Sequence, residues 1–171
     1  MSVPKSEAGP ASRLDRAFLA AAPAHWIALS GGAGLVPKAP GTVGALVGIP
    51  IGLALAAAGP GVALVLVVLA GLVGIWACGA TARAAGVHDH QAIVFDETWA
   101  MAAVIAFAPA GLAAVLVGFV AFRLFDIAKP WPIGWADGHV DGGLGIMLDD
   151  GLAALYALAC LFILGRLGWL V

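Results

Sequence analysis

Charge is scarce in this sequence. It carries 8 basic and 10 acidic residues among 171, and charged residues make up 11% where soluble domains have about 25%. A chain this poor in charge cannot cover a folded surface with polar groups, which excludes an ordinary water-soluble domain. The two signs nearly cancel, to a net −2, and no basic stripe is present, so nucleic acid is excluded as a partner. Cysteine is also sparse. Cys78 and Cys160 both lie in apolar runs, and a disulfide framework or structural zinc site needs more thiols at closer spacing. Both are expected to be small buried side chains. What fills the chain instead is apolar: 63% of it, with 24 glycines.

The solvent that suits such a composition is lipid. The fold expected is all-α, a multi-helical integral membrane protein of about five apolar helices preceded by an interfacial segment. Residues 1–23 read as that flexible or amphipathic segment, and residues 24–171 as a single membrane-embedded domain. Arg13 and Arg16 before residues 17–29 imitate a secretion signal, but Pro23 and His25 interrupt the apolar run. A span needs roughly 20 residues. Residues 42–59 and 62–82 qualify, separated by the turn Gly59-Pro60-Gly61. Residues 92–128 hold either one long helix over the uncharged centre 98–122 or two spans, 93–108 and 112–128. Pro109-Ala110-Gly111 is a poor helix centre and a good turn, which favours two. Pro130-Trp131-Pro132 then stops the helix, residues 133–144 read as a Gly- and Asp-rich loop, and 146–171 is the last span, opened by Asp149-Asp150. Gly44, Gly48 and Gly52 mark one helix face as a packing stripe.

Five spans fix the side on which each connection lies. The segment before residue 42, the 83–92 connection and the 129–145 connection share one side. That side holds every acidic residue and every basic residue except Arg166. Because Lys and Arg concentrate in cytoplasmic loops, this side is expected to be cytoplasmic. Trp26, Trp131 and Trp135 suit its interface, and Trp169 the opposite one.

Charges at membrane depth cost several kcal/mol unless paired or metal-bound, so they are functional candidates. Asp96, Glu97, Asp126, Asp149 and Asp150 would repel one another strongly, and Arg123 and Lys129 cannot neutralise five carboxylates. A divalent cation can, and an all-oxygen donor set suits Mg²⁺. The alternative is a set of interhelical salt bridges with some carboxyls protonated. His88 and His90 flank Asp89 and have the chemistry of a general acid or base; a solvated loop is the plain alternative. Ser30-Gly31-Gly32-Ala33-Gly34 and Pro40-Gly41-Thr42 are Gly-rich turns before a helix, a weak sign of phosphate binding to which Lys38 adds charge.

These residues fall into blocks. Lys38-Ala39-Pro40-Gly41-Thr42, Gly86-Val87-His88-Asp89-His90 and Val94-Phe95-Asp96-Glu97 come first. Phe122-Arg123-Leu124-Phe125-Asp126, Lys129-Pro130-Trp131-Pro132-Ile133 and Gly142-Gly143-Leu144-Gly145-Ile146-Met147-Leu148-Asp149-Asp150 follow. In this order, across roughly residues 25–160, they resemble the phosphatidylglycerophosphatase A family. The resemblance implies a Mg²⁺-dependent lipid phosphatase of the bacterial inner membrane, facing the cytoplasm. Its substrate would be phosphatidylglycerophosphate, and its products phosphatidylglycerol and phosphate. On that reading Asp96, Glu97, His88, Asp89 and His90 are catalytic; Lys38, Thr42, Arg123 and Lys129 bind substrate. Asp96, Glu97, Asp126, Asp149 and Asp150 hold the metal. Small hydroxyl residues are frequent in the family where this chain has Ala33, Val36 and Ala45, which leaves phosphate contacts there to backbone or Thr42. Two other classes compete. A CDP-alcohol phosphotransferase begins its signature Asp-Gly-x-x-Ala-Arg, and Asp150-Gly151 matches only the opening, with Leu155 in place of arginine. A transporter or structural subunit would not gather its polar groups at one edge.

Overall fold

A computed structural model describes residues 14–87 and 90–170 of the chain. Among the described residues every regular element is helical. Two short helices come first, α1 (Arg16–Ala21) and α2 (Pro23–Ala28), followed by a 3₁₀ turn over Ser30–Leu35. Asp15 starts α1 by accepting the N–H of Phe18 at 2.8 Å. Phe18 stacks on the buried His25, whose Nδ1 lies 2.9 Å from the Phe18 carbonyl. His25 is therefore part of a packed corner.

Six further helices complete the chain: α3 (Pro40–Ala57), α4 (Pro60–Ala85), α5 (Phe95–Phe107), α6 (Leu112–Ala128), α7 (Ile133–His139) and α8 (Gly142–Arg166). The chain breaks between α5 and α6, so residues 93–128 are two helices; Gly111, at φ 120°, takes a conformation that side chains resist. Two expectations need correction. Residues 133–144 are not a loop, because Ile133 and Ala136, three apart, turn one buried face of α7 inward. The last helix begins at Gly142, which places Asp149 and Asp150 about two turns inside it instead of at its opening. Of the glycines that suggested a loop, Gly143 is there for packing, since a methyl group on it would strike the Ile75 carbonyl of α4, while Gly138 and Gly142 face open space.

α5 is the central helix. Asp96, Thr98 and the run from Ala100 to Ala106 are buried, with α3, α4, α6 and α8 around them. Small residues bring the helices this close. On α3, a Cβ at Gly44 would lie 2.8 Å from the Val94 carbonyl, and one at Gly52 would lie 2.6 Å from Ile105 Cβ. Gly74 of α4 is as tight against Met147 and Phe95, at 2.7 and 2.8 Å. Such contacts gain dispersion energy without a hydrophobic drive between helices.

The outer faces are apolar. Leu64, Leu72, Leu116, Val120, Leu155 and Ile163 are among many large side chains left exposed on α4, α6 and α8. A continuous apolar belt of this kind is a mark of contact with lipid or protein. Three helices, α3, α4 and α8, are long and apolar enough to cross a membrane. The chain is membrane-associated on these grounds. α5, with 13 residues, and α6, with 17, are shorter.

Candidate active site

One pole of the bundle collects the charges. α3 starts there, because a methyl group on Gly41 would collide with Glu97 Oε1. α4 ends there and α8 begins there, with Gly79 and Gly143 in contact. α5 begins there with Asp96 and Glu97, and α6 ends there with Arg123 and Asp126. At the other pole, Pro109 of the α5–α6 turn lies 3.6 Å from where a Cβ on Gly165 would sit.

Three carboxylates meet at the charged pole. Asp96, Glu97 and Asp150 each present an oxygen within 4.8 Å of the others. Asp96 and Asp150 are buried, and Glu97 is nearly so. The two Asp-containing pairs use one local device: Asp96 Oδ1 accepts the N–H of Glu97, and Asp149 Oδ1 accepts the N–H of Asp150, both at 3.0 Å. Each first carboxylate is thereby tethered to its own backbone.

Arg123 closes the group from α6. Its Nη1 lies 2.5 Å from Asp126 Oδ2 and 3.8 Å from Glu97 Oε1. Asp126 also sits beside Asp150 and Glu97. Lys129 lies apart from the trio and joins three elements. Its Nζ donates to Asp137 of α7 at 2.6 Å and to Asp149 of α8 at 2.8 Å. Burial lowers the pKa of the Lys129 ammonium, but its hydrogen bonds to the Asp137 and Asp149 carboxylates outweigh that and hold it above the ordinary lysine range. Arg123 and Lys129 thus pair with four carboxylates, Glu97, Asp126, Asp137 and Asp149, beside Asp96 and Asp150.

The balance leaves charge over, and it also leaves atoms over. Glu97 Oε2, Asp150 Oδ2 and Arg123 Nε are buried without a hydrogen-bond partner. Buried orphan oxygens on clustered carboxylates fit a hard divalent cation. The orphan guanidinium N–H fits an anion beside it. Asp96, Glu97 and Asp150 are close enough together that they could hold a metal ion between them. Asp126 neighbours them with its charge spent on Arg123, and Asp149 is drawn to Lys129.

The remaining candidates are dispersed. Thr42 is half-buried one residue beyond Gly41, which itself abuts Glu97 and Arg123, while Lys38 is exposed in the preceding turn. His90 is half-buried; its Nδ1 accepts the N–H of Ala92 at 3.1 Å. It lines a cavity of about 260 Å³ with Gly34, Pro37, Pro40 and Ala92, and none of the three carboxylates lines it. His88 and Asp89 lie outside the described residues. The Ser30–Leu35 turn does not present its hydroxyl outward: Ser30 Oγ lies 2.8 Å from Thr98 Oγ1. Asp137 and Thr98 drew no attention in the sequence. A lone threonine just after Asp96-Glu97 in an apolar helix was a readable signal; Asp137, eight residues from Lys129 across a proline turn, was not.

Known proteins bear on this geometry. The family model for phosphatidylglycerophosphatase A matches residues 26–165. The chain belongs to the phosphatidylglycerophosphatase A family. Within the family, a phosphatidylglycerophosphatase A of Escherichia coli (strain K12) is 41% identical over 146 residues, covering 84% of each chain. One from Haemophilus influenzae is 41% identical over 142 residues, 82% of this chain and 87% of its own. A Bacteroides thetaiotaomicron protein named as a candidate phosphatidylinositol-3-phosphatase is 36% identical over 134 residues, 74% of this chain and 83% of its own. No solved structure matches the chain. Residues 26–165 of the family match contain all the residues of the acidic pole described above.

Proposed function

We propose that the protein is a multi-pass phosphatase of the bacterial inner membrane that hydrolyses phosphatidylglycerophosphate to phosphatidylglycerol and inorganic phosphate. The observation that carries the chemistry is the trio Asp96, Glu97 and Asp150, with two orphan oxygens and the orphan Arg123 Nε beside it. The relatives named phosphatidylglycerophosphatase A supply the substrate. α3, α4, α5, α6 and α8 are the five crossing helices. α5 measures about 20 Å at 1.5 Å per residue, short of a hydrocarbon core of about 30 Å, but its neighbours shield it from lipid. The basic residues at the charged pole make that side cytoplasmic.

Mg²⁺ is the cation that this all-carboxylate donor set favours, and when bound it supplies Lewis-acid polarisation of the phosphoryl group and acidification of water. The chain's own groups do the rest. Arg123 binds phosphoryl oxygens through its free N–H while Asp126 fixes its other end. The start of α3 at Gly41 and Thr42 offers backbone N–H groups to the same anion, and Lys38 draws the headgroup toward it. Lys129, braced by Asp137 and Asp149, orients α6 against α8 and completes the cationic rim. Water oxygen bonds to phosphorus and passes a proton to a phosphoryl oxygen, the bond to the glycerol oxygen breaks, and that oxygen takes a proton from His88 or His90, which solvent then restores.

Phosphate release by the purified protein in phospholipid vesicles tests the assignment. Release is expected from phosphatidylglycerophosphate, at a rate well above that from a phosphatidylinositol phosphate of equal acyl composition. Release from the phosphoinositide alone would replace the substrate; none from either lipid would reject the phosphatase.

A further inference from the structure

Behind the acidic trio lies a small polar seam in an otherwise apolar interior. Thr98 is buried, one residue beyond Glu97 on α5. Its Oγ1 lies 2.9 Å from the Gly44 carbonyl of α3, 2.8 Å from the Val94 carbonyl and 2.8 Å from Ser30 Oγ. One hydroxyl therefore joins the central helix, the helix whose first turn touches Glu97, and the 3₁₀ turn. A hydroxyl has one proton to give, so a consistent pattern has Thr98 donating to a carbonyl and Ser30 donating to Thr98.

Ser30 is held in an unusual way to make this contact. Its φ is 46°, in the left-handed region that serine seldom enters, and Gly31 and Gly32 follow at 67° and 104°. Such backbone persists only where its surroundings over-determine it. Gly41 and Gly44 show what the seam controls. Gly41 abuts Glu97 Oε1 one helical turn above the Gly44 carbonyl that meets Thr98. Any slide of α3 along α5 would move the Gly41 turn away from Glu97 and Arg123.

We infer that Thr98 and Ser30 are positioning residues that set the height of α3 on α5 and so fix Glu97 and Arg123 in the geometry the reaction needs. The inference rests on the acidic trio being the reaction centre. Neither residue touches substrate; both act through Glu97.

The test uses full-length Thr98→Val, Ser30→Ala and Thr98→Ser in vesicles, with Leu161→Ala as a stability control. Leu161 is buried in the second half of α8, away from the acidic pole. Thr98→Val and Ser30→Ala should each lower kcat roughly tenfold or more, with KM for the lipid within about twofold. Thr98→Ser should recover most of that loss. Combining Thr98→Val with Ser30→Ala should cost little beyond either alone, because one seam is broken once. Leu161→Ala should lower Tm while keeping kcat per folded molecule. Unchanged kcat in Thr98→Val and Ser30→Ala overturns the inference. So does a kcat loss that tracks Tm as in Leu161→Ala. Should Thr98→Val fail to fold, Ser30→Ala, which removes one oxygen, decides by the same criteria. Glu97→Gln separates the two levels: if Glu97→Gln is inactive and the seam variants are normal, positioning alone fails, whereas an active Glu97→Gln removes the reaction centre itself.

Discussion

Two aspartates that are neighbours in sequence have different partners. Asp150 turns into the trio with Asp96 and Glu97, while Asp149 faces away to Lys129. Successive residues on a helix are about 100° apart, and here that turn is enough to send Asp149 and Asp150 to different partners. The Asp149→Asn and Asp150→Asn variants should therefore behave differently. Asp150→Asn is expected to lose at least roughly 100-fold in kcat, beyond the usual effect of a supporting residue. Asp149→Asn should keep measurable turnover and lose about 1.5–3 kcal/mol of stability, the range for a hydrogen bond to a charged group. Steady-state rates and thermal unfolding in detergent measure both, and equal losses of turnover would merge the two roles. Lys129 adds a sign. A lysine whose pKa is raised on folding contributes stability that is complete below its unfolded value of about 10.4 and fades as pH rises through the folded value. Lys129 therefore stays charged through neutral pH, and any change of activity between about pH 6 and 8 belongs to other groups. The carboxylate list was legible in the sequence because charge in an apolar run is costly; how it divides was not, because division depends on which face of each helix turns inward.

At the scale of elements, glycine decides what can approach what. The Gly44, Gly48 and Gly52 stripe read from the sequence packs on α5 as a stripe of that spacing should. Gly48→Leu would drive a side chain into Met101 Cβ and the Ala102 amide, at 2.9 and 3.0 Å from the first added carbon. A loss of about 1–3 kcal/mol or more is expected from such overpacking. Gly61→Ala is the contrast, since nothing lies within 4 Å of its added carbon; a change within about 0.5 kcal/mol is expected. Chemical denaturation followed by tryptophan fluorescence compares the two. Glycine also misled. The Gly-rich 133–144 stretch contains α7 and the start of α8, because in tightly packed bundles glycine signals contact as often as a turn. The break at Pro109-Ala110-Gly111 was legible, since proline and a positive-φ glycine leave a helix no continuation.

For the whole molecule, the order of helices does most of the work. α3, α5 and α8 start at one pole, and α4 and α6 end there, so residues distant in sequence arrive together without any long loop. Counting helices in the sequence was enough to foresee one charged pole, and the family blocks named the chemistry expected of it. The seam of Ser30 and Thr98 and the Lys129–Asp137 pair depend on side-chain reach across elements, and no periodicity encodes that. The central claim is that Asp96, Glu97 and Asp150 form one metal-dependent centre for phosphate release. Its most direct test is a Mg²⁺ titration of phosphate release from phosphatidylglycerophosphate, by the wild type and by Asp96→Asn, Glu97→Gln and Asp150→Asn. Release is expected to vanish with a chelator, return with Mg²⁺, and stay at least roughly 100-fold down in all three variants at saturating metal. Undiminished release in chelator, or wild-type rates in any of the three, would contradict it.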